Sequence, residues 1–143
     1  MTVSIILAAK GRDVVTVEPN ATLKSAVALL ADNRIGAALI LGVDNRVAGI
    51  LSERDIVRAL AERGASALDE PVSQVMTRKV STCTEGETIS AIMERMTDGK
   101  FRHVPVVDQG RLVGIVSIGD VVKQRLHEME RDSAAMRDYI LTA

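Results

Sequence analysis

The stretch Gly114-Ile115-Val116-Ser117-Ile118-Gly119-Asp120 has the pattern of a buried strand that passes directly into a helix. Its Gly, Ile, Ser and Asp recur with the same spacing 65 residues earlier, in Gly49-Ile50-Leu51-Ser52-Glu53-Arg54-Asp55. Recurrence of one such stretch in each half of a chain is typical of a duplicated structural unit. The sequence therefore predicts a tandem repeat.

The serine and the aspartate of each stretch lie three residues apart, on one face of the first helical turn. The unpaired N–H groups of that turn favour anionic oxygen atoms. The hydroxyl could contact a phosphate or ribose oxygen, and the carboxylate could accept hydrogen bonds from two adjacent ribose hydroxyls. The same Ser-x-x-Asp pattern is also a helix capping box, which needs no ligand. Both interpretations stay open at this point.

The composition narrows the class of protein. The 143 residues carry a net charge of -1, with neither a basic run nor an aromatic platform for bases, so no nucleic-acid partner is expected. The single cysteine, Cys83, excludes an intrachain disulfide and lies in an apolar alternation, which predicts a buried thiol and fits a reducing cytoplasm. The apolar run Ile5 to Ala9 is too short to cross a bilayer, so we expect a cytoplasmic protein without a membrane anchor.

Each half of the chain predicts the same order of elements: strand, capped helix, hairpin and second helix. The first half contains a preceding helix at 3–10, a strand at 14–17, a helix capped by Thr22, a hairpin over 36–43 and 47–51, and a helix over 52–63. The second half contains a strand at 80–83, a helix capped by Thr88, a hairpin over 104–107 and 112–116, and a helix from Ile118.

These elements predict an α+β fold in which two pseudo-symmetric β-α-β-β-α repeats stack through their sheets, because neither copy alone buries both faces of its sheet. The expected divisions are a first repeat over 1–66, a linker over 67–79, a second repeat over 80–130 and a C-terminal helical extension over 131–143. Two related but unequal clefts are expected between the copies. The last helix contains neither Gly nor Pro to end it, so it either packs on a partner chain or ends as a solvated tail.

The duplicated Gly-Ile-x-Ser-x-x-Asp, the stretch His103-Val104-Pro105-Val106 and the linker Val75-Met76-Thr77 resemble tandem CBS domains, the paired arrangement also called a Bateman module. The resemblance covers about residues 1–130. It implies a regulatory module that binds adenosyl ligands such as AMP, ADP, ATP, NAD or S-adenosylmethionine in the clefts between repeats. AMP is expected first, with NAD or ATP as alternatives, and neither an obligatory cofactor nor a metal is expected.

The resemblance implies ligand-binding roles for residues of the second repeat. Asp120 would hold the ribose hydroxyls, Ser117 and Gly119 would line the ribose and phosphate, and Ile115 would flank the base. Arg102 and His103 stand where related modules place cationic phosphate contacts. Outside the family context, these two are simply solvated residues before a strand. The residues implied across the cleft, around the adenine, are Gly11, Arg12, Asp13, Val14, Ile35 and Gly36.

The first repeat departs from this pattern, because Gly36 and Ala37 occupy the positions that carry Arg102 and His103 in the second. Its Ser-x-x-Asp turn remains, and its site residues are Ser52 and Asp55. Four other cations could compensate for the missing pair: Arg54, Arg58, Arg78 and Lys79. We therefore expect the second-repeat site to dominate and the first-repeat site to be weaker or differently selective.

The preferred functional hypothesis is a nucleotide sensor that acts on a separate regulated protein. The alternative is a structural or adaptor protein that binds no ligand and acts through dimerisation and its terminal helix. An enzyme is not expected, because the sequence shows no nucleophile elbow, metal-ligand cluster or Walker loop. The resemblance also implies a homodimer, and its candidate interface residues, which could instead be ordinary core, are Val57, Leu60, Val122 and Leu126.

Overall fold

A computed structural model describes residues 1–142 as an α+β protein with five helices and five strands. The helices are α1 (Val3–Lys10), α2 (Leu23–Asn33), α3 (Glu53–Arg63), α4 (Ile89–Gly99) and α5 (Ile118–Thr142). The strands are β1 (Thr16–Val17), β2 (Ala37–Leu41), β3 (Val47–Ser52), β4 (His103–Asp108) and β5 (Arg111–Ser117). Short 3-10 turns cover Val43–Asn45, Gly64–Asp69 and Val72–Gln74. The predicted order of elements is thereby confirmed, apart from the strand at 80–83.

The hydrogen-bonded strands form one sheet in each repeat. In the first sheet β1 runs parallel to β2, which pairs antiparallel with β3, and in the second sheet β4 pairs antiparallel with β5. The strand predicted over 80–83 is wrong, since only Cys83 pairs, as a single bridge to Val106. The reason is Pro105, which lacks the N–H that its equivalent Leu39 donates to the carbonyl of Val15.

Threonine caps start the equivalent helices of the two repeats, as predicted. The Oγ1 of Thr22 accepts a hydrogen bond from the Ser25 N–H at 3.2 Å, and the Oγ1 of Thr88 accepts one from the Ala91 N–H at 3.1 Å. Both helices end at a residue with left-handed backbone geometry, Arg34 in α2 and Lys100 in α4. The two repeats therefore agree at the start and at the end of this helix.

Each apolar core is completed by a segment from outside its own repeat. Val3, Ile6 and Leu7 of α1 belong to the core of the second repeat, together with residues of α4, β4 and β5. The segment between the repeats contributes Val72 and Met76 to the core of the first. The boundary between the first repeat and the linker at residue 66 stays a prediction from the sequence repeats. Segments from both sides of it pack into the core of the other repeat.

The repeated glycine, Gly49 in β3 and Gly114 in β5, lies where these borrowed segments cross the sheets. A Cβ on Gly114 would lie 2.8 Å from Leu7 Cδ2, and one on Gly49 would lie 2.9 Å from the Thr77 carbonyl oxygen. Real Cβ atoms do not approach other atoms so closely. The glycine is therefore required by packing, which explains its recurrence without a ligand.

We expect Gly49→Ala to lower the free energy of unfolding by about 1–3 kcal/mol, because backbone as well as side-chain atoms must move to admit the methyl group. Urea unfolding followed by circular dichroism measures the change. Gly86→Ala is the matched control, since a Cβ there meets nothing within 4 Å. Equal stability of the two variants would contradict the close approach of β3 and the segment before residue 80.

The second half of α5 extends beyond the body of its repeat. Every described residue from Met129 onward is exposed, and the last buried residue of the helix is Val121. The four residues predicted as interface or core are also exposed, between 37% for Leu60 and 66% for Val57, so they are not core of this chain. No helix within residues 1–142 has both the length and the apolar character needed to cross a membrane.

Candidate functional site

Both Ser-x-x-Asp turns form complete capping boxes. Ser52 Oγ accepts a hydrogen bond from the Asp55 N–H at 3.3 Å, and Asp55 Oδ2 accepts one from the Ser52 N–H at 2.9 Å. In the second repeat the corresponding distances are 3.2 Å and 2.9 Å, between Ser117 and Asp120. The capping interpretation is therefore confirmed for both turns. These contacts need no ligand, so a ligand site depends on the other residues around the two turns.

The two aspartates differ in their third partner. Thr77 Oγ1 donates a hydrogen bond to Asp55 Oδ1 at 2.9 Å, so Asp55 has only neutral partners. Lys10 Nζ instead donates to Asp120 Oδ2 at 2.7 Å and to the carbonyl of Ile115 at 3.1 Å. Burial raises the pKa of Asp120, but the hydrogen bonds from Lys10 and Ser117 outweigh it and hold that pKa below its usual value. The second aspartate is thus already ion-paired within the chain.

A cavity of about 870 Å³ opens beside the first turn, at the junction of the two repeats. This volume lies within the range of small-molecule sites, roughly 300–1,000 Å³. The first repeat contributes Ser52 and Asp55, the segment between repeats contributes Thr77 and Lys79, and the second repeat contributes Val80 and the residues from Gly99 to His103. The cavity therefore depends on both repeats being in place.

The charge around this cavity is strongly positive. Two carboxylates, Glu53 and Asp55, line it, so with His103 neutral the lining carries a net charge of +3, against -1 for the whole chain. The five cations in the lining are Arg54, Arg58, Lys79, Lys100 and Arg102. None of these five forms an ion pair with another residue of 1–142. Unpaired cations gathered around one cavity favour an anionic ligand.

The structure groups the predicted site residues differently from the sequence-based pairing. Arg102, His103 and Gly36 line the cavity of Ser52 and Asp55. The reason is that the chain before β4 crosses to the first repeat, where Arg54 Nη1 donates to the Lys100 carbonyl at 3.4 Å. The cations of one repeat therefore face the Ser-x-x-Asp turn of the other. The expectation that the first-repeat site lacks this pair is wrong.

The remaining predicted residues lie away from this cavity. Gly11 ends α1 with a φ of 92°, and Arg12 pairs with Glu85 across the surface. Asp13 is exposed, and Val14 is half-buried. Those that do not line the cavity are Gly11, Arg12, Asp13, Val14, Ile35, Ile115, Ser117, Gly119 and Asp120. At the repeat offset of 66 residues, Asp13 is equivalent to Lys79 and Val14 to Val80, which both line the first-repeat cavity. Any second cleft would therefore carry fewer cations.

Several lining residues were not predicted, among them Thr77, Lys100 and Phe101. The repeat offset contains the signal for some of them, because Val80 is equivalent to Val14, which was assigned to the wall of a cleft. Of the four compensating cations, Arg54, Arg58 and Lys79 do line the cavity. Arg78 instead donates to the Ser73 carbonyl at 2.8 Å.

His103 should make the stability of the fold depend on pH. Burial lowers its pKa from the ordinary value of 6.5, and Lys10 and Arg102 lower it further, against the opposing charges of Asp120 and Glu53. Below about pH 6.5 the unfolded chain therefore binds a proton more readily than the native state does. Native stability should be full above that pH and should fall as the solution becomes more acidic.

We expect wild type to lose more stability than His103→Asn between about pH 7.5 and about pH 5, measured by urea unfolding at each pH. The matched control is His127→Asn, since His127 is the only other histidine and is exposed on α5. That control should keep the wild-type dependence. A steeper dependence in His103→Asn than in wild type would contradict the lowered pKa of His103.

Comparison with known proteins identifies the same two units. The family model of the CBS domain matches residues 10–62 and 72–127 of this chain. A crystal structure of a CBS-domain protein from Agrobacterium tumefaciens is 48% identical, with a TM-score of 0.83 over 87% of this chain and 92% of that chain. A CBS-domain protein from Pyrobaculum aerophilum, complexed with AMP, is 33% identical, with a TM-score of 0.74 over 84% of this chain and 89% of that chain.

A third solved structure is the CBS domain pair of protein MJ0100, in complex with 5'-methylthioadenosine and S-adenosyl-L-methionine. It is 28% identical, with a TM-score of 0.77 over 87% of this chain and 98% of that chain. The chain spans 71%, 60% and 39% of the lengths of the first three curated relatives that it matches.

Proposed function

Because this chain belongs to the CBS-domain family and carries two CBS domains in tandem, we propose that it is a regulatory module that binds an adenine nucleotide in the cavity beside Asp55. The observation that carries the proposal is the set of five unpaired cations around a Ser-x-x-Asp turn at the junction of the repeats. A phosphate needs cations, and a ribose needs an acceptor for its two hydroxyls. The cavity offers both.

The residues divide naturally between the parts of a nucleotide. Asp55 would accept the ribose hydroxyls, because Oδ1 accepts only the hydrogen bond from Thr77, and the Ser52 hydroxyl that donates to Oδ2 can rotate towards the ligand. The cations, above all Arg102, would hold the phosphate. Ile50 and Val80, which both line the cavity, would contact the base.

AMP is the first candidate ligand, with NAD or ATP as alternatives. The solved relatives hold AMP in one case and S-adenosyl-L-methionine with 5'-methylthioadenosine in another. A lining of net charge +3 supports a phosphate-bearing ligand here over one with a sulfonium cation. We propose a second, weaker site at Asp120 and Ser117, with Ile115 and Gly119 beside the ligand and Gly11 to Val14 and Ile35 opposite.

Ligand binding can reach the protein surface through α3. Its first turns, with Asp55 and Arg58, line the cavity, while Val57 and Leu60 on the same helix are exposed. The cations that face the cavity come from both repeats and repel one another until an anion lies between them. A bound nucleotide would therefore favour an arrangement with the repeats closer together, and a separate regulated protein could recognise that arrangement.

Isothermal titration with AMP, ATP, NAD, S-adenosylmethionine and adenosine tests the proposal. We expect AMP to bind at least about 10-fold more tightly than adenosine, because hydrogen bonds to a charged group are worth about 1.5–3 kcal/mol. The difference should shrink when the salt concentration rises from about 0.05 M to about 0.5 M. Tighter binding of S-adenosylmethionine than of AMP would overturn the assignment of the ligand class.

An adaptor protein without a ligand is the second candidate function, favoured by the exposed apolar side chains of α5. It predicts no titration signal and no change of melting temperature with any nucleotide, whereas a ligand of the native state must raise that temperature. Under either function we propose a homodimer in the cytoplasm. An interface through the exposed residues of α3 and α5 would serve both.

A further inference from the structure

Within the described residues, the C-terminal half of α5 buries none of its side chains against the rest of the chain, although Met1 lines a common pocket with Arg131, Asp132 and Ala135. All residues from Met129 to Thr142 are exposed, and five of them are large apolar side chains: Met129, Met136, Tyr139, Ile140 and Leu141. An isolated helix of this length, below about 15 residues, is only marginally stable in water. A helix that presents apolar side chains at this density needs a surface to cover them.

The apolar side chains of α5 follow a seven-residue repeat. Their spacing alternates between four and three residues from Val122 to Ile140, which is the pattern of the inner positions of a coiled coil. The inner positions a are Leu126, Ser133 and Ile140, and the inner positions d are Val122, Met129 and Met136. We call these six residues the α5 seam. Only Ser133 is polar, and a single polar residue at such a position favours one pairing register.

The charged residues beside the α5 seam match a second copy of the same helix. In a parallel pair, a residue at position g of one helix faces the residue five positions later, at position e, of the other. Here Arg125 would face Glu130 of the second copy, and Asp132 would face Arg137. Both pairs have opposite charges. In an antiparallel pair, the contact of Arg125 with Asp132 and the contact of Glu130 with Arg137 would need two different registers.

We propose that α5 forms a parallel, in-register, two-stranded coiled coil with a second copy of this chain, extending beyond the body of the repeats. A membrane surface fits less well, because residues 129–142 carry two arginines against three carboxylates and so have no attraction for anionic lipid. The inference does not depend on the nucleotide. It gives the dimer a defined orientation, with both C-termini at the same end.

Single-cysteine crosslinking in the full chain tests the orientation. Met129→Cys and Met136→Cys, made separately, should each form a disulfide-linked dimer under mild oxidation. The matched control is Arg131→Cys, which lies at the outward position f of the same heptad. The native thiol adds little background, because Cys83 is buried and its burial raises its pKa to about 12.

Two antiparallel helices face their own equivalent residue at only one level, so crosslinking at both Met positions requires the parallel arrangement. We expect at least about a 5-fold excess of dimer in both variants over the Arg131→Cys control, since only inner positions bring equivalent Cβ atoms within bonding reach. Crosslinking at one Met position alone overturns the parallel register. A mass of 15.4 kDa for the wild-type chain by light scattering overturns the pairing with a second copy and leaves the seam to another partner.

A charge reversal distinguishes the proposed pairs from general apolar association. Arg137→Glu places a glutamate opposite Asp132 of the second copy and should raise the dimer dissociation constant by about 3- to 10-fold, for two equivalent exposed pairs. Adding Asp132→Arg restores opposite charges and should recover most of that loss. Equal dissociation constants for wild type and Arg137→Glu would overturn the charge pairing.

Discussion

Replacing Asp55 by asparagine should weaken AMP binding by about 30-fold or more, because an amide cannot accept both ribose hydroxyls as a carboxylate does. Hydrogen bonds to a charged group are worth about 1.5–3 kcal/mol each, and the loss of one such bond already exceeds 10-fold in affinity. The amide oxygen can still accept from the Ser52 N–H, so the helix cap is largely kept. Isothermal titration at matched salt measures the change.

The matched control is the equivalent residue of the second repeat, in Asp120→Asn. Asp120 sits in the same kind of turn, but Lys10 already neutralises its carboxylate. Neither Asp120 nor Lys10 lines the cationic cavity. We expect the affinity of AMP for the main cavity to change by less than about 3-fold, because the substitution lies outside that cavity and should weaken only the proposed second site. Equal losses in the two variants, or a larger loss in Asp120→Asn, would contradict the assignment of the main site to Asp55.

Stability must be measured beside affinity, because Asp55 is only 7% exposed and takes part in its capping box. Loss of a cap costs about 0.5–2 kcal/mol. A destabilised but folded Asp55→Asn variant should show a lower melting temperature without ligand and a smaller rise on adding AMP than wild type. The rise on adding ligand reports binding to the native state, separately from the cost of the substitution.

Local signals in the sequence were sufficient for the elements and for the duplication. Thr22 and Thr88 predict helix starts, and the structure contains both caps. The strand predicted at 80–83 is wrong because its partner strand carries Pro105, which lacks the N–H that the equivalent Leu39 donates.

The residues that line the cavity beside Asp55 could not be predicted from either repeat alone. The sequence-based assignment places Arg102 and His103 with the aspartate of their own repeat, whereas they line the cavity beside Asp55 of the other. The exchange follows from the tertiary contact between the chain before β4 and α3, where Arg54 donates to the Lys100 carbonyl. No periodicity or motif within one repeat contains that information. For the same reason the ion pair between Lys10 and Asp120 was missed.

The cations of the cavity should matter only for ligands that carry a phosphate. Arg102→Gln is expected to weaken AMP binding by about 10- to 30-fold, the cost of one or two hydrogen bonds to a charged group. The side chain of Arg102 is exposed and forms no ion pair with another residue of 1–142, so its removal should leave the fold intact. Adenosine, which lacks the phosphate, should bind equally well to Arg102→Gln and to wild type.

The control for the overall charge is Lys123→Gln, an exposed cation on α5 that does not line the cavity. Its removal changes the net charge by the same amount and should leave both affinities within about 2-fold, since an exposed charge that does not contact the ligand is largely screened by salt. If Arg102→Gln weakens adenosine and AMP equally, the residue shapes the cavity and does not bind the phosphate. A loss confined to AMP would instead place the phosphate beside Arg102, directly before β4.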